Sequence, residues 1–325
     1  MKDTPYFWYP EQGRITLASV LLWPLTLLWR LGSCLKKMIA SPYQPRIPTV
    51  VIGNITAGGT GKTPLVMALH KNTKRNGRKP VILTRGYGGK TEGPYLAQPE
   101  DHADIIGDEA RLMVNKAPVV ISRDRGKGAR WIEDNIPDCD LIIMDDGMQN
   151  TTIRPHKKIA VFNGSRGIGN GMIIPSGPLR ESWSALKNCD AVIISGDDKK
   201  NLYDEINALK AGLPIFQISR KLSDESVADI KGKNVIAFAG IGDPKSFFNM
   251  LSSAKVNLVG SHSFPDHHNY SSLEVASLKK EAEANEALLV TTEKDYMRFD
   301  AEMASGIKVI HLETIIDKSM MEILP

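Results

Sequence analysis

The chain has 325 residues, with 41 Lys and Arg against 37 Asp and Glu, a net charge of +4 with His neutral, and 42% hydrophobic residues. This composition excludes a mainly disordered, collagen-like or polytopic membrane chain and allows one large or two modest domains with their own cores. A charge of +4 is too small to point to nucleic acid, and three scattered cysteines (Cys34, Cys139, Cys189) without a CxxC pair suit a reducing compartment better than a disulfide scaffold or a thiolate zinc site.

Residues 15–31, ITLASVLLWPLTLLWRL, form the most apolar stretch, bounded by Arg14 and Arg30 and followed by Lys36 and Lys37. A bilayer-spanning helix needs roughly 20 apolar residues; this run is shorter and carries Pro24 at its middle. Trp8, Trp23 and Trp29 with Tyr6 and Tyr9 suit a headgroup interface. The pattern predicts that residues 1–40 form a membrane-associated helical segment lying in or dipping into the surface, with basic side chains on anionic lipid. A buried core helix, a single-pass anchor and a secretory signal fit the same run. The last is favoured by Leu31-Gly32-Ser33-Cys34, which resembles a lipoprotein cleavage site, and opposed by the aromatic, Pro-punctuated residues before the run.

After Pro42, Pro45 and Pro48 the pattern changes. Short β-branched runs, TVVIG (49–53), PVILT (80–84), PVVIS (118–122), DLIIMD (140–145), IAVFN (159–163), AVIIS (191–195) and PIFQI (214–218), alternate with longer helical patterns such as 64–76. The runs are apolar throughout rather than alternating, which predicts strands buried on both faces in a mostly parallel sheet with helices on both sides. Residues 221–233 (KLSDESVADIKGK) read as a polar linker. Beyond them NVIAFA (234–239), residues 256–259, ALLVT (287–291) and IKVIHL (307–312) restart a smaller α/β unit, with a charged helix expected over 271–285. The expected organisation is an α/β domain at 41–222 and a smaller C-terminal α/β domain at 223–325.

The first run leads into Asn54-Ile55-Thr56-Ala57-Gly58-Gly59-Thr60-Gly61-Lys62-Thr63 and then a helix. This is close to GxxxxGK[ST] in strand–loop–helix context, so the fold is expected to be of the P-loop NTPase type. The glycines let backbone N–H groups surround a phosphate, and the helix N-terminus adds partial positive charge. Lys62 would reach the β- and γ-phosphates of ATP, and Thr63 would place a hydroxyl on Mg²⁺. The one departure is Thr56 in place of the first glycine. Residues 140–145 deliver Asp145 and Asp146, then Gly147, Met148 and Gln149; carboxylates after an apolar strand suit Mg²⁺, and the sequence does not say which lies nearer the metal.

Other polar clusters fall at strand ends, where α/β sheets put their sites. They are Arg85-Gly86-Tyr87-Gly88-Gly89, Gly107-Asp108-Glu109, Arg123 and Arg125, and Pro175-Ser176-Gly177-Pro178-Leu179-Arg180-Glu181. In the second half they are Asp266-His267-His268 and Thr291-Thr292-Glu293-Lys294-Asp295. Each also fits a flexible loop, a helix cap or a solvated turn.

Taken in order, GNITAGGTGKTP, RGYGG, GDEA, MDDGMQN, PSGPLRE, AFAGIGDPKSFF, FPDHHNY and TTEKD resemble the tetraacyldisaccharide 4′-kinase family, the lipid A 4′-kinases of Gram-negative envelope synthesis. The matching pieces span most of the chain, and Thr in place of the first glycine belongs to that family's pattern. The resemblance implies ATP-dependent phosphorylation of the 4′-hydroxyl of a tetraacylated glucosamine disaccharide 1-phosphate, giving lipid IVA. It places the chain as a peripheral protein on the cytoplasmic face of the inner membrane. The expected partners are the glycolipid and the membrane surface, with no nucleic acid and no protein partner. By matching motifs, residues 56–63 (Thr56, Ala57, Gly58, Gly59, Thr60, Gly61, Lys62, Thr63) bind nucleotide. Thr63, Asp145, Asp146 and Gln149 are expected around the metal. Asp108 and His267 look like the proton-accepting pair, and Glu109, Arg125, Arg180 and Glu181 like further active-site charges, with Arg123 an alternative to Arg125. The GDEA motif has Ala110 where many family members carry Pro.

Asp108 falls in the first expected domain and His267 in the second, so a cleft closing over the nucleotide is expected. Deleting residues up to Ile39 is expected to reduce membrane recovery and leave ATP affinity largely intact. Two other classes compete: a P-loop ATPase or GTPase switch that docks a partner, against which no NKxD base-reading motif is found, and a soluble small-molecule kinase.

Overall fold

The computed structural model describes residues 5–10, 15–266 and 268–325. The short apolar runs form strands because β-branched side chains pack well where both sheet faces are covered. In chain order these are β1 Thr49–Gly53, β2 Pro80–Thr84, β3 Tyr95–Leu96, β4 Val119–Ile121, β5 Leu141–Asp145, β6 Lys157–Asn163, β7 Ala191–Ser195 and β8 Ile215–Leu222. They are followed by β9 Asn234–Ala239, β10 Asn257–Ser263, β11 Ala287–Thr292, β12 Ile307–Ile310 and β13 Leu312–Ile315. The chain divides into two units. The first runs to Ser219 and takes back Ile315–Pro325, and the second is Arg220–Thr314.

The large sheet has the order β13-β8-β7-β6-β1-β5-β2-β4-β3. Pairing is parallel from β8 through to β4, and β3 closes the edge antiparallel to β4. Five helices of the first unit matter for the site: α1 Leu17–Met38, α2 Lys62–Arg75, α3 Ala103–Ile106, α4 Asp108–Val114 and α5 Arg125–Asn135. Successive residues of a strand point to opposite faces. Val50 and Ile52 accordingly pack with Leu65, Val66 and Leu69 of α2, while Val51 packs with Ala129 and Ile132 of α5. The doubly covered parallel sheet expected from the sequence is therefore present. Its centre lies at β1, where the register sets Ile52 opposite Asp145 and so brings the end of β5 beside the start of the phosphate loop.

α1 runs for 22 residues, past the apolar run read from the sequence, with Thr16 capping its first turn and Lys36 and Lys37 in its last. By length and composition it is long enough to cross a membrane. Its only buried residues are Ser19 and Thr26, whereas Leu21 and Leu28 are 70% and 66% exposed. That is the reverse of a soluble amphipathic helix, whose apolar stripe faces the core.

Three local expectations need correction. α2 starts at Lys62 rather than at residue 64, because Gly61 takes a left-handed φ of 86° and stands as its N-cap. The expected linker at 221–233 contains a helix, Asp224–Ile230, capped by the Ser223 hydroxyl and anchored by buried Ser226 and Ile230. The run 307–312 is two strands: β12 belongs to the small sheet and β13 to the large one. The tail that follows β13 packs Met320 into the first unit's core, and the Pro325 carbonyl accepts from Arg78 Nη1 at 2.8 Å.

The second unit is a four-stranded sheet of order β10-β9-β11-β12, parallel throughout. Helix Ser272–Ala284 opens with a capping box between Ser271 and Glu274, as its S-x-x-E start dictates. Asp295, fully buried, accepts from Tyr270 Oη (3.1 Å), Gly240 N (3.1 Å) and Thr292 Oγ1 (2.7 Å) and pairs with Arg298 at 3.0 Å.

Candidate active site

The phosphate loop leaves β1 at Gly53 and enters α2 at Lys62. Gly58, at φ 102°, and Gly61, at φ 86°, occupy backbone conformations that side chains disfavour, which turns the loop tightly into the helix N-terminus. Thr56 is buried, and its hydroxyl accepts from Asn54 Nδ2 at 3.4 Å. The Lys62 ammonium lies 3.3 Å from Asn54 Oδ1 and 3.7 Å from an oxygen of Asp146. Thr63 donates its hydroxyl to Asp145 Oδ2 at 3.1 Å.

The two aspartates differ in chemistry. Asp145 is buried, and its second oxygen, Oδ1, has no hydrogen-bond partner. Burial, then the neighbouring negative charge of Glu109, pushes its carboxyl up to about 7, with Lys62 opposing. Asp146, at a left-handed φ of 50°, faces cations. Burial would raise its pKa, but Lys62, then Arg180, then Arg125 hold it below the usual carboxylate value. Arg180 Nη1 lies 3.3 Å and 3.4 Å from its two oxygens. The Gln149 amide donates to the Asn54 carbonyl at 2.9 Å, and its oxygen accepts from Arg180 at 3.5 Å.

The two candidate arginines part company. Arg125 is 2% exposed, donates to the carbonyls of Ser122 (2.7 Å) and Asp146 (3.4 Å), and keeps a buried Nε without a partner. Burial lowers its pKa to about 10, against the pull of Asp146. Arg123 instead pairs with Glu92 at the surface, at 2.9 Å. Asp108 and Glu109 form the first turn of α4. Gly107, at φ 88°, packs so tightly on the 85–89 loop that a Cβ there would collide with the Tyr87 carbonyl oxygen. That contact fixes where α4 begins.

The 170–181 loop lies along the phosphate loop. Arg180 N donates to the Ile55 carbonyl at 2.6 Å, and Ala57 N donates to the Pro178 carbonyl at 2.7 Å. Glu181, next to Arg180, forms an ion pair with Lys37 of α1 at 2.8 Å. Two residues that sequence reasoning did not single out also belong here. Asn54 is fully buried and touches Lys62, Thr56 and Gln149; its place between the strand and the glycines was the available signal. The Arg166 guanidinium would be 3.6 Å from a Cβ on Gly58, and no local motif announces it.

In the second unit, Asp266 pairs with Lys294 at 3.1 Å. His268 stacks on Phe264 and reaches Glu274 Oε1 at 3.1 Å. His267 lies outside the described residues.

Among the described residues, no cluster of three or more His, Cys, Asp or Glu side chains forms a ready-made cage for a metal. Magnesium does not need one, since it takes one or two carboxylates and completes its shell with water and phosphate oxygens. The orphaned, buried Asp145 Oδ1 beside the Thr63 hydroxyl fits such an ion.

A glycine loop at a helix start, a lysine and a hydroxyl at its mouth and two aspartates at the end of the neighbouring parallel strand define a P-loop phosphotransfer protein. Residues 18–324 match the family model described as Tetraacyldisaccharide-1-P 4′-kinase. A tetraacyldisaccharide 4′-kinase of Paramagnetospirillum magneticum is 39% identical over 310 residues, covering 94% of this chain and 92% of the relative. Another, of Methylobacterium sp. strain 4-46, is 37% identical over 320 residues, covering 98% and 95%. The fold also matches a crystal structure of LpxK from Aquifex aeolicus in complex with ATP, at a TM-score of 0.71 and 22% identity, over 94% of this chain and 98% of that one. The chain belongs to the tetraacyldisaccharide-1-phosphate 4′-kinase family.

Proposed function

We propose that this chain transfers the γ-phosphoryl group of ATP to the 4′-hydroxyl of a tetraacyldisaccharide 1-phosphate, giving lipid IVA in lipid A biosynthesis. The observation that carries the reading is the convergence of Lys62, Thr63, Asp145, Asp146 and Arg180 on one loop, in a unit that also bears an outward-facing apolar helix. Residues 56–63 surround the phosphates with backbone N–H groups. Lys62 and Arg180, held near Asp146 before nucleotide arrives, offset charge that develops on the transferring group. Arg125 adds a buried cation behind them. Asp145 and Thr63 are the residues that would hold Mg²⁺, which when bound neutralises phosphate charge and orients the oxygens. Asp146 and Gln149 are engaged with cations and backbone, which suits an outer role through water. A sugar hydroxyl is a weak nucleophile at neutral pH, so an acceptor for its proton is needed; the resemblance assigns that work to Asp108 and His267, and each is tested by its own substitution.

The acyl chains of such an acceptor stay in lipid, so the phosphate loop has to work close to the bilayer. The exposed leucines and tryptophans of α1 suit that placement, with the chain peripheral on the cytoplasmic face of the inner membrane. Incubation of the full chain with γ-labelled ATP and a lipid extract tests the reading. Label on a glycolipid supports it; phosphate release without transfer points to a P-loop switch, and a labelled water-soluble acceptor to a different kinase.

A further inference from the structure

α1 meets the rest of its unit through its polar residues. Thr26 Oγ1 donates to the Ile173 carbonyl at 3.2 Å and lies 3.0 Å from Ser176 Oγ, both hydroxyls being buried. Asn170 Nδ2 reaches Ser19 Oγ (3.0 Å), the Ser176 carbonyl (2.9 Å) and the Phe7 carbonyl (3.0 Å), and its Oδ1 accepts from Met172 N at 3.0 Å. Trp29 Nε1 donates to the Arg180 carbonyl at 3.2 Å. The other side of the same 170–181 loop is stitched to the phosphate loop through Arg180 N to Ile55 and Ala57 N to Pro178. A single layer of chain thus separates the outward-facing apolar helix from the phosphate site, and that layer carries Arg180.

Apolar contacts alone would attach a helix but leave it free to roll and slide. Directional hydrogen bonds to buried hydroxyls fix its rotation and its height, and an unmatched buried hydroxyl is costly enough to hold the match. We propose that Thr26, Ser176 and Asn170 are positioning residues that set Arg180 against Asp146, so that the seating of α1 governs phosphoryl transfer as well as attachment to lipid. This rests on the kinase reading above and extends it from the site to the helix that carries the site to the membrane.

The test uses the full chain in mixed micelles of detergent and phospholipid, with ATP and a glycolipid acceptor. Thr26→Val keeps the shape and removes the hydroxyl. It is expected to lower kcat about fivefold, the rate equivalent of roughly one hydrogen bond, while KM for ATP stays within about twofold. Thr26→Ser should restore the rate. In an Arg180→Ala background, Thr26→Val should cost nothing more, because the group it positions is gone. Should Thr26→Val not accumulate, Ser176→Ala carries the same cycle. Full kcat in the hydroxyl variants, or additive losses with Arg180→Ala, overturns the coupling. Absence of glycolipid labelling by the unaltered chain overturns the functional reading itself, so the two failures are told apart.

Discussion

The Thr63 hydroxyl stands 3.1 Å from one oxygen of Asp145, while the other oxygen of the same carboxylate is buried without a partner. Burial and Glu109 raise this carboxyl to about 7. An acid with a folded pKa above its unfolded one binds its proton more tightly in the folded chain. Its contribution to stability is complete below about pH 4 and is lost as pH rises through about 7. The cation-free chain should therefore melt at a lower temperature at pH 8 than at pH 6. Asp145→Asn should flatten that slope while lowering transfer about 100-fold or more. Magnesium at pH 8 should raise the melting temperature of the parent and not of the variant. Scanning calorimetry at the two pH values reads all of this; identical slopes for parent and variant would sink the assignment.

Lys62 leads the charges that hold Asp146 ionised, and it sits at the mouth of the loop. Lys62→Met should lower the affinity for ATP about tenfold and transfer about 100-fold or more, with the fold kept. Titration with a fluorescent nucleotide and circular dichroism check the two halves. Unchanged nucleotide binding would remove the loop from the mechanism.

Arg123 and Arg125 are two residues apart and should behave oppositely. Arg123 is 46% exposed and its Glu92 partner 77%, so Arg123→Ala should change stability by about 0–1 kcal/mol and leave transfer near the parent level. Arg125→Lys should cost at least about tenfold in transfer, since a lysine cannot reproduce a planar buried donor to both the Ser122 and Asp146 carbonyls. Matching rates for the two variants would contradict the placement.

Asp295 gathers Tyr270, Gly240, Thr292 and Arg298 around one buried carboxylate. Asp295→Ala removes the buried carboxylate that accepts from Tyr270 and Thr292 and pairs with Arg298, and should destabilise the second unit by about 3–5 kcal/mol. Asp295→Asn, which keeps the volume, should cost less. Urea unfolding followed by tryptic cleavage within 220–314 measures the difference, and an unchanged midpoint for the alanine variant would refute the hub.

The parts legible in the sequence were those built from neighbours. Gly61-Lys62-Thr63 had to follow an apolar strand, and the strand ending at Asp145 had to lie beside it, because parallel α/β sheets gather such ends. The parts that stayed hidden depend on distant residues. Arg166 reaches the phosphate loop from beyond β6, Glu181 pairs with Lys37 of α1, and Thr26 looks like one polar interruption in a greasy run until Ser176 is set beside it. The linker reading of 221–233 failed for a simpler reason: its charges sit on one side of a short helix whose other side buries Ser226 and Ile230. Membership of the kinase family was carried by the order of the motifs, which survives even where single positions such as Ala110 differ.

The return of Ile315–Pro325 to the first unit has a consequence for biogenesis. Met320 completes a hydrophobic layer begun by Val50 and Leu65, so a nascent chain synthesises the whole 220–314 insert before that layer can close. During that interval the ribosome-bound protein exposes an unfinished apolar face as well as the outward-facing leucines of α1, two surfaces that invite chaperones.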